Sequence, residues 1–240
     1  MTDITCQTTY SNYPQTILSD QIRTIFRFRL KDPGSAITHF IGFLAAIFAT
    51  PILLVYSAIH GGSLLELVGF SIFMLSMVLL YGASSAYHSF DISSRINTRL
   101  KKMDHMMIFL LIAGTYTPIC LAGIGGSTGT FLLALVYGIA VTGIGIKAFW
   151  INCPNWFSSV IYIGMGWVCL LAMPQILASL STSAFVWLLV GGILYTIGGV
   201  IYALKLKIFQ KLPKNFGSHE IFHLFVLAGS ACHFMTMIYL

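Results

Sequence analysis

Charge is what this chain has least of. Asp, Glu, Lys and Arg make up 8% of its 240 residues, while hydrophobic residues make up 57%. A soluble domain carries about 25% charged residues, so a water-facing globular class is excluded. Thiol chemistry is also sparse. Cys6, Cys120, Cys153, Cys169 and Cys232 form no CxxC pair, and three of them lie in apolar stretches. That excludes a disulfide framework and a thiolate metal site. Ten-residue units of strand-type alternation are missing, which excludes a β-barrel, and there is no convincing internal repeat. Residues 1–35 lack an apolar core and a small-residue cleavage site, so insertion is expected to rely on the later apolar segments.

Those segments are the main signal. A bilayer-crossing helix needs about 20 apolar residues, and mean hydropathy is +0.86. Seven runs qualify, at roughly 36–59, 64–87, 104–122, 129–149, 157–178, 184–204 and 219–240. The expected fold is all-α, a seven-transmembrane-helix bundle spanning residues 36–240. Residues 1–35 form a polar cytoplasmic tail, with Thr16–Leu30 read as an amphipathic helix on the membrane surface or as unstructured chain.

The basic residues set the topology. Formal net charge is +6, a balance that would suit nucleic acid if it were spread over one face. Instead Arg23, Arg27, Arg29 and Lys31 precede the first span, and Arg95, Arg99, Lys101 and Lys102 follow the second. Lys147 ends the fourth, and Lys205, Lys207, Lys211 and Lys214 follow the sixth. All thirteen fall on one side of a seven-span chain. The positive-inside rule then puts the N-terminus in the cytoplasm and the C-terminus outside. No nucleic-acid partner is expected; the partner is membrane lipid, and the location is the cell membrane, inner or plasma, crossed several times.

Four titratable residues converge at the cytoplasmic level of this topology. His88 ends span two, Asp104 begins span three, and His219 and His223 begin span seven. Histidines at i and i+4 share a helix face, about 5–6 Å apart at Cβ. Three imidazoles with an oxygen group suit zinc, which leaves one position for water in a catalytic site. Asp104 can ligate directly or hold that water. Ser84, one turn before His88, can bond the water or a developing oxyanion. The alternative is a set of separate interfacial histidines capping helix ends. His39 is read as packing or as support for the site, and His105, on a different helix face from Asp104, as interfacial. His233 is about 15 Å deeper than His223 and is expected to bond a neighbouring helix. His60 and Glu66 fall at the outer end, Glu66 snorkelling to water. Pro51, Pro118 and Pro174 are expected to kink their spans. Glycines of spans four and six are expected to favour close packing.

Ser84-Ser85-Ala86-Tyr87-His88, Asp104-His105 with Ile112-Ala113-Gly114-Thr115-Tyr116-Thr117-Pro118, and His219 through Ser230 resemble the hemolysin III family. That family sits within the progestin and adipoQ receptor (PAQR) superfamily. Ile37-Thr38-His39 with Gly42 matches its first span, and the resemblance covers about residues 32–240. It implies seven helices, an inside N-terminus and a zinc ion near the cytoplasmic face. By that resemblance His88, His219 and His223 match the zinc ligands, Asp104 the acid that holds the water on the metal, and Ser84 the nearby serine. It also implies a membrane hydrolase of lipid amides, some relatives acting as ceramidases.

The expected function is therefore zinc-dependent hydrolysis of a lipid amide or ester at the cytoplasmic face. Three rivals remain: a receptor-like or structural membrane protein whose zinc staples helices, a cytolytic haemolysin, and an intramembrane metalloprotease. The last rests on His219-Glu220-Ile221-Phe222-His223 as a His-Glu-x-x-His motif with Glu220 as general base.

Overall fold

The computed structural model of the chain describes residues 30–204 and 217–240. The expected surface helix, save Leu30, and the lysines at 205, 207, 211 and 214 lie outside the described residues. Everything regular among the described residues is helical. Seven helices are long and apolar enough to cross a membrane: α1 Pro33–Ile59, α2 Leu64–Ser89, α3 Ser94–Ile124, α4 Gly126–Phe149, α5 Asn155–Ser179, α6 Thr182–Leu204 and α7 Ser218–Ile238. In lipid a helix satisfies its own backbone polar groups, which is why unbroken apolar runs take this form.

The starts are marked by capping chemistry. Pro33 opens α1 with no N–H to leave unpaired. The Ser63 and Ser93 hydroxyls accept from the N–H groups of Glu66 at 3.1 Å and Ile96 at 3.3 Å. The Ser93 cap starts α3 at Ser94 rather than at the expected 104. The basic stretch Arg95–Lys102 is thus not a connecting loop but a charged first part of α3.

Neighbours in sequence pack side by side, and α1 also packs on α7, closing the bundle into a ring. At one end Asp32 N–H donates to His88 O, Lys101 Nζ to Asn152 Oδ1, and Ser35 Oγ to Glu220 Oε1. At the other, Ser57 Oγ donates to Glu66 Oε1 at 2.6 Å, and Ser181 Oγ to Tyr239 O. Glu66 is therefore tied to α1 rather than reaching for water. Lys31, Lys101, Lys102 and Lys147 gather at the first of these ends, called here the basic end.

The outer surface is apolar and exposed: Ile59, Val141 and Phe48 are 73%, 69% and 67% accessible. Polar side chains point inward, the reverse of a soluble protein. Tyr81 of α2 donates to Ser230 Oγ of α7 at 2.5 Å, and Tyr195 of α6 bonds the same hydroxyl at 2.7 Å. Gly229 allows this meeting, since a Cβ there would sit 2.5 Å from the Tyr195 ring. The glycine stripes expected in α4 and α6 divide. Gly143 passes against Phe109 and Gly191 against His233, but Gly138, Gly145 and Gly192 face open space.

Prolines act unequally. Pro51 lies inside an uninterrupted α1, whereas α3 widens into a π-turn at Ile119–Ile124 directly after Pro118. In α5 the α-helix stops at Gly166, tightens into a 3₁₀ stretch Trp167–Ala172 and resumes at Met173, just before Pro174. The break frees backbone groups that Tyr116 of α3 satisfies: its hydroxyl donates to Gly166 O at 2.7 Å and accepts from Cys169 N–H at 2.9 Å. Tyr116→Phe removes both bonds and leaves Gly166 O only the weak Cys169 Sγ contact at 3.6 Å, which costs about 1–3 kcal/mol. The expected result is a lower unfolding temperature in detergent; an unchanged temperature removes Tyr116 from this role.

Candidate metal centre

The His219-x₃-His223 spacing on α7 and the C-terminal turn of α2 meet at the basic end. One ligand-capable atom from each of His88, His219 and His223 lies within 4.8 Å of the others. His88 and His223 are buried and His219 is half-buried. His88 Nε2 and His219 Nε2 are 3.2 Å apart, and the ring centroids of His219 and His223 are 4.5 Å apart. This group could hold a metal ion, since each imidazole offers one nitrogen as a ligand atom.

The orientation of His88 has a cause that sequence reading missed. Its Nδ1 lies 2.9 Å from Asp32 Oδ2. An ionised carboxylate only accepts, so Nδ1 carries the proton and Nε2 faces the other histidines. Metal-binding histidines characteristically hold a carboxylate in this way, fixing tautomer and ring plane. Asp32 is itself held by its backbone N–H to His88 O at 2.9 Å, with Lys31 Nζ 4.0 Å from its carboxylate. The available signal was its position: an acid directly before Pro33, at the same membrane level as His88.

Other expected residues sort as follows. Ser84 is buried, and its Oγ makes no bond of standard geometry but lies near enough to the Asp104 carboxylate to donate to it. Asp104 is buried too but lies outside the three-histidine set; its Oδ2 is 3.4 Å from His105 Nδ1. His105 had been expected on a separate interfacial face, yet it lines the same cavity as Asp104. His39 stacks on His223 with centroids 3.6 Å apart and planes 9° apart, and neither of its ring nitrogens is bonded. His233 is buried deeper, 5.0 Å from the Tyr195 ring, with Nδ1 unbonded. His60 bonds the backbone of its own helix, Nδ1 to Tyr56 O at 2.8 Å, at the far end.

Glu220 is engaged at the start of its own helix. Its Oε2 accepts from Gly217 N–H and its Oε1 from Ser35 Oγ, both at 2.8 Å. It caps α7 and ties it to α1, each oxygen accepting one hydrogen bond.

A cavity of about 150 Å³ opens beside the histidines. His39, Ser84, Asp104, His219 and His223 form its polar end; the rest is chiefly apolar, from Ile108 and Leu111 of α3 to Met173 of α5 and Leu188 of α6.

Seven apolar helices around a buried, metal-capable histidine cluster define a multi-pass membrane protein with an internal polar site. Comparison with known proteins sharpens the class. The model of the haemolysin-III related family matches residues 28–234, and the chain belongs to that family. It is 39% identical over 206 residues to the "Hemolysin-3 homolog" of Bacillus subtilis (strain 168), covering 86% of this chain and 92% of that one. It is 35% identical to "Hemolysin-3" of Bacillus cereus, covering 92% and 97%. A more distant relative is "Progestin and adipoQ receptor-like protein 1" of Caenorhabditis elegans, 29% identical over 85% of this chain and 50% of the other. The family thus lies within the PAQR superfamily.

Asp32→Asn keeps the shape of the side chain but weakens its hold on His88. Loss of such a partner costs roughly 10–100-fold in metal affinity. The expected outcome is that drop in affinity for an added divalent metal ion, read by chelator competition on the full-length protein. Unchanged affinity would show that Asp32 does not orient a ligand.

Proposed function

We propose that this protein is a zinc-dependent hydrolase of a lipid amide or ester, working at the cytoplasmic face of the cell membrane. Its N-terminus lies inside and its C-terminus outside, since the basic end carries the lysines that the positive-inside rule retains in the cytoplasm. The observation that carries the reading is one juxtaposition: three clustered imidazoles, two of them lining an otherwise apolar cavity whose polar end also holds a buried acid and a buried hydroxyl.

The donor set fits zinc. Three nitrogen ligands leave a fourth position, and the Asp32–His88 pair is the usual support of a zinc histidine. His88, His219 and His223 would hold the ion. Zinc supplies Lewis acidity and a water of lowered pKa. The remaining work belongs to the chain. The apolar wall binds the hydrocarbon part of the substrate and excludes bulk water. Asp104, buried on the cavity wall, takes the proton of the attacking water and returns it to the leaving group. Ser84 Oγ donates to the oxygen on which negative charge develops. The position of the buried Ser84 hydroxyl beside the Asp104 carboxylate, on the wall of the same cavity, supports this role.

A second reading is a structural zinc that staples helices in a receptor-like protein. Its support is that the cluster joins α2 to α7 while His39 of α1 stacks on His223. Chelation would lower the unfolding temperature under both readings; only the first gives turnover. The metalloprotease reading has less support, since Glu220 is drawn into capping α7 and bonding Ser35. Cytolysis enters through the names of the Bacillus relatives alone.

Two experiments test the proposal. His88→Ala and His223→Ala are expected to lose stoichiometric zinc, measured on detergent-purified protein; full retention in both sinks the ligand assignment. Asp104→Asn is expected to keep zinc yet lose about 10²–10⁴-fold in lipid hydrolysis, while Glu220→Gln stays near the parent rate. The opposite order would favour the protease. Zinc-loaded protein that cleaves no lipid amide or ester across a broad panel would leave the staple.

A further inference from the structure

A second cavity of about 160 Å³ lies at the basic end, lined by Lys101, His105, Lys147, Ile151, Asn152, Cys153, Asn155, Ser158 and Tyr202. Its chemistry is the opposite of the first. Lys147, at the last turn of α4, is only 2% exposed. Its ammonium donates to Ser158 Oγ at 2.6 Å and Cys153 Sγ at 3.1 Å. Lys101 Nζ reaches Asn152 Oδ1 at 3.1 Å. Among the described residues no carboxylate pairs with either lysine. A buried ammonium without an anion is strongly disfavoured, so the pocket is poised for one. The C-terminal carbonyls of α4 offset part of that cost. Burial pushes the Cys153 thiol up, but hydrogen bonds from Ser158 and Lys147 and the charge of Lys147 outweigh it and hold the thiol below its usual value. One thiolate balances at most one of the two ammonium groups.

The pocket also adjoins the first cavity. His105 and Tyr202 line both, and the Tyr202 ring lies 5.7 Å from that of His219. A molecule with a hydrocarbon chain in the apolar cavity can therefore pass the histidine cluster and put a headgroup among the lysines. The first turn of α5, whose N-terminal N–H groups no side chain caps, contributes Asn155 and Ser158 and favours an anion further. The volume is ample, since about 10–15 Å³ holds one water.

We propose that this pocket, built around Lys147 and Lys101, binds the phosphate group of an anionic lipid whose hydrocarbon chain occupies the neighbouring apolar cavity. It rests on the hydrolase reading only for the position of the scissile bond; the binding stands apart from turnover. Two ammonium groups, two amide side chains and a hydroxyl supply donors for the several oxygens of a phosphate. Basic pockets between helices on the cytoplasmic side bind such headgroups.

The test is retention of radiolabelled dioleoyl phosphatidic acid by the full-length protein in detergent. Dioleoylglycerol, oleate and inorganic phosphate serve as competitors. Phosphatidic acid is expected to outcompete dioleoylglycerol, and Lys147→Met and Lys101→Met are each expected to weaken that preference roughly fivefold. Lys101 lies at the rim and is bonded to one side chain, so its variant keeps the test valid if Lys147→Met does not fold. Equal retention of the charged and neutral lipids, oleate competing as well as phosphatidic acid, or a preference unchanged in both variants overturns the proposal. Inorganic phosphate displacing the lipid at equal concentration overturns the lipid headgroup and assigns the pocket to a free anion. Lysine-dependent binding by a protein that hydrolyses no lipid upholds this site while removing the enzymatic reading, so the two failures are distinct.

Discussion

At the basic end, side chains from the C-terminal turn of α2 meet those from the N-terminal turn of α7, and the polar pairing around them has to accommodate that meeting. Three imidazoles meet there with one pair of nitrogens 3.2 Å apart, inside a bundle whose outer face is hydrocarbon. Groups of this kind are costly in a membrane interior unless something bonds them. Each neighbour can be read as an answer to that cost. Asp32 fixes the His88 proton, His39 stacks on His223, and Glu220 holds the start of α7 against Ser35 of α1. α1, which contributes none of the three histidines, thereby becomes the brace of the cluster.

The same rule, that a dry polar group must be paired, accounts for features far from the cluster. The break in α5 is tolerated because the Tyr116 hydroxyl serves both sides of it. The Tyr81–Ser230–Tyr195 chain ties α2, α7 and α6 midway along the bundle. What is left unpaired then becomes informative. Ser84 Oγ and both nitrogens of His39 make no hydrogen bond of standard geometry and border one cavity. Lys147 has a hydroxyl and a thiol as partners and, among the described residues, no carboxylate. These exceptions gather around two adjoining spaces, one apolar with a polar end, the other basic. Together they have the profile of a charged amphiphile.

Family membership bears on this picture in a limited way. The Bacillus relatives span nearly the same length as this chain, so the bundle is the shared unit. The chain spans about half of the Caenorhabditis elegans relative. None of these names describes a reaction. The chemical argument therefore comes from the donor set and its cavity.

Much of this was legible in the sequence. Seven apolar runs set seven helices, because a bilayer leaves the backbone no other economical way to pair its own groups. The histidine spacing on α7 set a shared face, because helical periodicity is local. The one-sided distribution of lysine and arginine brought His88, Asp104 and the α7 pair to a common level. Three features were not legible. Asp32 as a partner of His88 needs α1 and α2 to be adjacent. Glu220 as a cap rather than a base depends on which way one carboxylate turns. Lys147, which reads as an ordinary topology marker, is buried only because α5 folds back over the end of α4. Local pattern and bilayer solvation fixed the elements and their depth. Lateral packing decided which polar groups touch, since contacts between helices depend on rotation and neighbour choice that no single segment encodes.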